Sequence, residues 1–199
     1  MVVATPSDLH ERGCAMAITV LLVPSAAGVR MLRTRGRRHL VAEWEGHLRR
    51  LGPGDTVPIE WRLTEELPAD AGELAGAEGR PAWMPIVSEV VLEPGVRALT
   101  CRLRVPYDMA IFRGHFPSAP IVPGVMQVGW AVGLARTHGL ARGSLAGIDA
   151  AKFRRLVRPG MRLVARVERG ARPGQVSFRY ECGDTVVATG RLQFGVERD

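Results

Sequence analysis

The densest chemistry in the chain lies in Phe112-Arg113-Gly114-His115-Phe116-Pro117-Ser118-Ala119-Pro120-Ile121-Val122-Pro123-Gly124-Val125. His115 is the one side chain there of a type that can serve as a base under physiological conditions. Pro117, Pro120 and Pro123 each fix φ and stiffen the approach to the next element. A helix starting after Pro123-Gly124 offers first-turn N–H groups with no intrahelical acceptor, which can hold a carbonyl oxygen or an oxyanion. A base beside such donors suits removal of a proton next to a thioester carbonyl. The same residues also fit a capping histidine in a proline-rich loop, and the local chemistry leaves both readings open. Phe112 and Phe116 flank His115; they either keep its ring dry, which favours the neutral form, or simply pack.

A set of strands and one helix must position this segment. Ile86–Leu92 reads as a strand, followed by the turn Glu93-Pro94-Gly95. In Ala98–Val105, Leu99, Cys101, Leu103 and Val105 alternate with Arg102 and Arg104. Leu163, Ala165 and Val167 alternate likewise with Arg162 and Arg166. Val176–Glu181 and Thr185–Phe194 flank Gly183-Asp184, a hairpin signal. Between them, Pro123–Thr137 reads as a helix, with Pro123 in its first turn and Gly139 just past its end. Its middle, Val125 to Val132, is almost entirely apolar, so burial on every side is expected. Antiparallel strands wrapped round one buried helix make an α+β fold.

Residues 69–82 are small, polar and marked by Gly and Pro, as a linker is. Before them, Met16–Val23 reads as a strand. Arg35–Leu51 reads as a helix with Leu40, Val41, Trp44, Leu48 and Leu51 on one face, stopped by Gly52-Pro53-Gly54. The domains expected are therefore a small α/β module over 1–80 and a larger one over 82–199.

Of the 199 residues, 46% are apolar and 24% charged, enough apolar content for a packed core. No apolar run approaches the ~18–20 residues of a membrane span, so no membrane is expected. The net charge is +7, yet Lys152 is the sole lysine. Arginine spread this evenly reflects composition more than a phosphate-binding face, and no nucleic-acid partner is expected. Cys14, Cys101 and Cys182 are far apart and read as reduced thiols of a cytoplasmic protein. Asp8 and Glu11 precede the apolar stretch Ala15–Val23, unlike the basic start of a secretion signal.

The pattern F-x-G-H-F-P-x-x-P-x-x-P-G-V over residues 112–125 resembles the signature of hotdog-fold 3-hydroxyacyl-acyl-carrier-protein dehydratases, the FabZ and ApeI-like group. Ala146 to Arg155, with Val157-Arg158-Pro159-Gly160, is similar to that family's strand and turn after the central helix. The resemblance covers roughly residues 82–196 and implies a hotdog fold. It also implies a two-group elimination. A histidine removes the C2 proton of a 3-hydroxyacyl thioester, and a carboxylate fourteen residues later on the central helix helps the hydroxyl leave. The two groups come from different subunits of a dimer, and the acyl chain lies in a tunnel along the helix. On this chain the base is His115, and backbone N–H groups of Gly124 and Val125 polarise the carbonyl. Phe112, Phe116, Gln127, Gly129 and Trp130 fall along the tunnel. Trp130 also reads as plain core.

The acid position is Gly129, which can do no acid chemistry. From Met109 to Ile148 there is no Asp or Glu, and Asp108 and Asp149 lie outside the helix. Gln127 can orient water but is no efficient proton donor. Four readings stay open: a dehydratase subunit whose hotdog partner supplies the carboxylate, a non-catalytic structural or carrier-docking subunit, an acyl thioesterase that needs only a base and an oxyanion pocket, or an ordinary homodimeric dehydratase that uses some other acid. The expected partners are an acyl carrier protein or acyl-CoA and a second hotdog subunit, in a hetero- or homodimer. Arg113, Arg154 and Arg155 can meet an acidic carrier or the phosphate of its pantetheine arm, or form a solvated face. His138 suits a helix C-terminus, and His10, His39 and His47 make no ligand spacing, so no metal and no organic cofactor are expected.

The first eighty residues resemble the small C-terminal domain of adenylate-forming acyl ligases. The likeness rests on a strand, a helix ending His47-Leu48-Arg49-Arg50-Leu51, then Val57-Pro58, Trp61-Arg62 and Leu67-Pro68. Those ligases carry a lysine in a G-K-L turn. Here Gly72-Glu73-Leu74 has glutamate, which implies a remnant without ligase activity. An unrelated α/β extension is the other reading.

Overall fold

The computed structural model describes residues 2–6, 18–51, 59–67 and 83–195. The linker, the stop at Gly52-Pro53-Gly54, the Gly72-Glu73-Leu74 turn, Met16, Val57, Pro58, Pro68, His10 and Cys14 lie outside the described residues. The chain groups into two units: Met1–Trp83 with Pro106–Pro120, and Met84–Val105 with Ile121–Asp199.

The first unit holds a three-stranded sheet and a helix. β1 (Val2–Pro6) pairs antiparallel with β2 (Ile18–Leu22), and β2 pairs in parallel with β3 (Ile59–Leu63). Two parallel neighbours need a crossover between them, and α1 (Ala26–Leu51) is that crossover. The helix starts well before the expected Arg35. Ser25 caps it, its Oγ accepting from the Gly28 N–H at 3.2 Å and its carbonyl from the Val29 N–H at 2.8 Å. At Gly36 the helix breaks (φ 80°, ψ 175°), so the apolar spacing starting at Arg35 marks only its second segment. Leu32, Leu40 and Val41 bury against Val20, Leu22, Trp61 and Leu63 of the strands, with Met31 and Trp44 at the margin.

The second unit is a six-stranded antiparallel sheet and one long helix. The strands are β4 (Ile86–Leu92), β5 (Ala98–Arg104), β6 (Leu145–Phe153), β7 (Arg162–Arg169), β8 (Gln175–Cys182) and β9 (Thr185–Phe194), in the order β4-β5-β7-β8-β9-β6. The alternation in β5 and β7 puts Leu99, Cys101 and Leu103 opposite Val167, Ala165 and Leu163, all buried. The row continues through Ala165↔Tyr180 and Tyr180↔Ala188. Small residues beside Tyr180 and Phe178 leave room for the rings and for the helix above. The β8–β9 hairpin turns on Gly183-Asp184, as expected.

The helix α2 (Gly124–Thr137) lies on this sheet, with Trp130 and Tyr180 rings 6.5 Å apart. Pro123 sits at its N-cap, one place earlier than expected. At the other end Gly139 takes φ 72°, the Leu140 N–H reaches the Ala135 carbonyl at 2.8 Å and the Gly139 N–H reaches the Arg136 carbonyl at 3.2 Å, a Schellman stop. Burial on every side is not what the helix shows. Gln127, Val128, Trp130, Ala131, Leu134 and Ala135 are buried, while Val125 is 74% exposed and Gly129 is exposed. Within the second unit the one sheet covers one face of the helix, and Val125 and Gly129 lie on the face turned away from it. No helix among the described residues is long and apolar enough to cross a membrane.

Candidate active site

His115 sits in the loop Pro106–Pro120 of the first unit. The loop has no strand ladder. It begins with a 3-10 turn, Ala110–Arg113, whose N-terminal side is set by the Phe112 N–H bonding the Met109 carbonyl at 3.0 Å. The Ile111 carbonyl then accepts from the N–H groups of both Gly114 (3.2 Å) and His115 (2.9 Å). Phe116 adopts φ 54°, a left-handed conformation that costs a bulky residue and is worse before proline. The Phe116 carbonyl accepts from the Ala119 N–H at 2.8 Å, closing a tight turn over Pro117-Ser118.

His115 is half-buried, and Phe116 meets its ring edge-on with centroids 4.6 Å apart. Phe112 is buried, but Phe116 is 59% exposed. Phe116, the phenylalanine that meets the imidazole, is therefore too exposed to keep that ring dry. Arg113 is exposed beside them.

The remaining expected site residues belong to the second unit. Gly124 and Val125 open α2, where the first N–H groups have no intrahelical acceptor. A Cβ at Gly124 would stand 2.6 Å from the Phe153 ring, so glycine lets the start of α2 and the end of β6 approach. Gln127 is only 2% exposed; its Nε2 donates to the Val122 carbonyl at 3.2 Å, and its Oε1 is buried without a partner. It faces the sheet together with Trp130. Gly129 faces the other way, and a Cβ there would meet nothing within 4 Å. Within one chain, Gln127 and Trp130 thus do not share an open channel with Gly129.

Arg154 and Arg155 are exposed, held by N–H bonds to the Val187 carbonyl at 2.8 and 3.2 Å. Arg154 lines a 380 Å³ cleft with Lys152, Arg166, Arg179, Arg191 and Glu168; Arg166 pairs with Glu93 and Glu168, and Arg179 with Glu181. Arg155 lies outside that lining.

Sequence reading missed the residues that hold the loop. Arg37 of α1 pairs with Asp108 at 3.0 Å, and Tyr107 packs on the first unit's core. The available signal was Gly36, a glycine inside a helical pattern.

A family model for ApeI-like proteins, ApeI dehydratase, matches residues 93–191. The 3-hydroxyacyl-[acyl-carrier-protein] dehydratase FabZ of Chloroflexus aggregans is 40% identical over 120 residues, spanning 54% of this chain and 81% of that protein. FabZ of Caldanaerobacter subterraneus is 35% identical over 118 residues, 53% of this chain and 81% of that protein. Among solved structures, a chain of the dehydratase heterocomplex ApeI:P from Xenorhabdus doucetiae superposes with a TM-score of 0.51 at 28% identity, covering 55% of this chain and 96% of its own length. The antiparallel sheet and its helix are the hotdog fold, and the chain belongs to the FabZ and ApeI-like family of hotdog 3-hydroxyacyl-thioester dehydratases, as one of its dehydratase-like subunits.

Proposed function

We propose that the chain contributes the base, and not the acid, to a dehydratase site shared with a second hotdog subunit. His115 removes the C2 proton of a 3-hydroxyacyl thioester. The C2 electron pair forms the C2–C3 double bond, and the C3–O bond breaks. A carboxylic acid of the partner protonates the departing hydroxyl, which leaves as water. N–H groups at Gly124 and Val125 hold the thioester oxygen as charge builds on it. The observation that carries this reading is Gly129. It occupies the position of the family's acid, its Cβ direction is open, and no carboxylate exists from Met109 to Ile148 to replace it.

The exposed stripe of Val125 and Gly129 on α2, with the exposed Val90, Val91 and Leu92 of the edge strand β4, supports a covering subunit. The solved relative was itself found as a heterocomplex. The substrate is delivered on an acyl carrier protein or coenzyme A, in fatty-acid or polyketide synthesis. The basic cleft at Arg154 suits the acidic carrier or its phosphate, with Arg113 and Arg155 as further contacts. We assign residues 1–80 to a front module, a ligase-domain remnant in which β2, α1 and β3 form a β-α-β unit, and 82–199 to the hotdog domain. We place the protein in the cytoplasm.

The test is purification of the tagged chain from its native host, with a search for a co-purifying hotdog protein. The complex should convert a 3-hydroxyacyl thioester to the enoyl product, and the chain alone should not. Enoyl formation by the chain alone overturns the missing-acid reading. Release of free thiol and acid without enoyl product makes it a thioesterase.

A further inference from the structure

We propose that α1 of the front module is a clasp for the histidine loop, in which Arg37 and Gly36 act as positioning residues for His115. The inference rests on the reading of His115 as the base. Three separate attachments, all within the first unit, support it. Arg37 Nε donates to Asp108 Oδ1 at 3.0 Å across 71 residues of sequence, with the side chains only 29% and 14% exposed. The same guanidinium donates through Nη2 to the Trp61 carbonyl, so β3 fixes the arginine that fixes the loop. Tyr107 packs on the core built from Leu32, Leu40, Trp61 and their neighbours.

The third attachment lies on the other side of His115. Gly36 takes φ 80°, and a Cβ there would collide with the Pro117 carbonyl and stand 3.0 Å from the Ser118 Cα. The break in α1 therefore lies where the helix meets the loop. Adjacent to Pro117 is Phe116, whose left-handed conformation is strained for a bulky residue and persists only where the surroundings over-determine it. A loop of short turns and prolines has few internal bonds to offset that strain. Anchors at Asp108 and Pro117 bracket His115 and supply the constraint. Misplacing a reacting group by about 1 Å can cost on the order of a hundredfold in rate, so a clasp of this kind bears on catalysis as well as on folding.

The experiment uses the full chain in the complex it forms. Arg37→Ala and Asp108→Asn are each expected to speed hydrogen exchange of the amides at 109–119 while amides of β5, β7 and β8 keep their protection. They should lower kcat by about tenfold or more with KM within about twofold, and the double variant should be no worse than Arg37→Ala alone. Arg37→Lys should recover part of kcat. Gly36→Ala should raise loop exchange independently of charge. The clasp is overturned if Arg37→Ala leaves loop exchange and kcat unchanged, or if the two substitutions simply add. His115→Ala separates the two ideas. An inactive His115→Ala beside a fully active Arg37→Ala removes the clasp alone. An active His115→Ala beside a loosened loop in Arg37→Ala removes the base reading and leaves the clasp as a holding contact.

Discussion

Tyr180 donates its phenolic O–H to the main-chain carbonyl of Gln127 at 2.9 Å, joining the middle of β8 to the first turns of α2. Burial pushes the phenol pKa far upward, with charge on Cys101, once its thiol ionises at high pH, as the lesser cause, and the group is a donor at physiological pH. Tyr180→Phe keeps the ring packing and loses this bond. It is expected to cost about 1 kcal/mol in denaturant unfolding. A cost near zero would show that the bond does not help seat the helix.

Cys101 lies in the row beneath the helix, and burial pushes its thiol up to about 11 from 9.0. The fold favours the neutral thiol. Its contribution to stability is therefore whole below pH 9 and is lost as pH rises toward 11. Urea midpoints should fall from pH 9 upward, and Cys101→Ala should flatten the fall between pH 9 and 10; above 10 the buried Tyr180 acts with the same sign. Native Cys101 should also resist iodoacetamide at pH 8. Rapid alkylation of the folded chain would contradict its burial.

Gly129 and Gly190 should respond oppositely to substitution. Gly129→Glu enters open space on a helix, and replacing glycine there should raise the stability of the isolated chain by about 0.5–1 kcal/mol. The variant should also let the chain form some enoyl product without a partner. At Gly190 an added Cβ meets the buried Phe178 ring and stands 2.9 Å from the Ala150 carbonyl. Gly190→Ala should cost about 1–3 kcal/mol. Equal thermal shifts for the two variants would contradict the packing described.

The sheet was legible because alternation is local. Leu99, Cys101 and Leu103 declare one face of β5, and Gly183-Asp184 declares the hairpin. The ends of α2 were legible from Pro123 and Gly139 for the same reason. What covers α2 was not. Val125 and Trp130 are equally apolar, and spacing cannot say which one the chain's own sheet hides. The first turns of α1 were missed because Ser25, their signal, is a cap and carries no apolar spacing. Of the loop's attachments only Gly36 left a sequence signal, and the ion pair left none. Any of the many arginines could have paired with Asp108, and only the fold brings Arg37 to it. His115 was found by its chemistry and its motif; the residues that hold it were found by geometry.

Whether His115 is the base is decided by conversion of a 3-hydroxyacyl thioester to its enoyl product, measured on the purified complex with the native chain and with His115→Ala. Turnover by the native complex is expected, with a loss of at least about a hundredfold on substitution, the scale of a general base, and with assembly intact. Undiminished turnover by the His115→Ala complex would contradict the assignment.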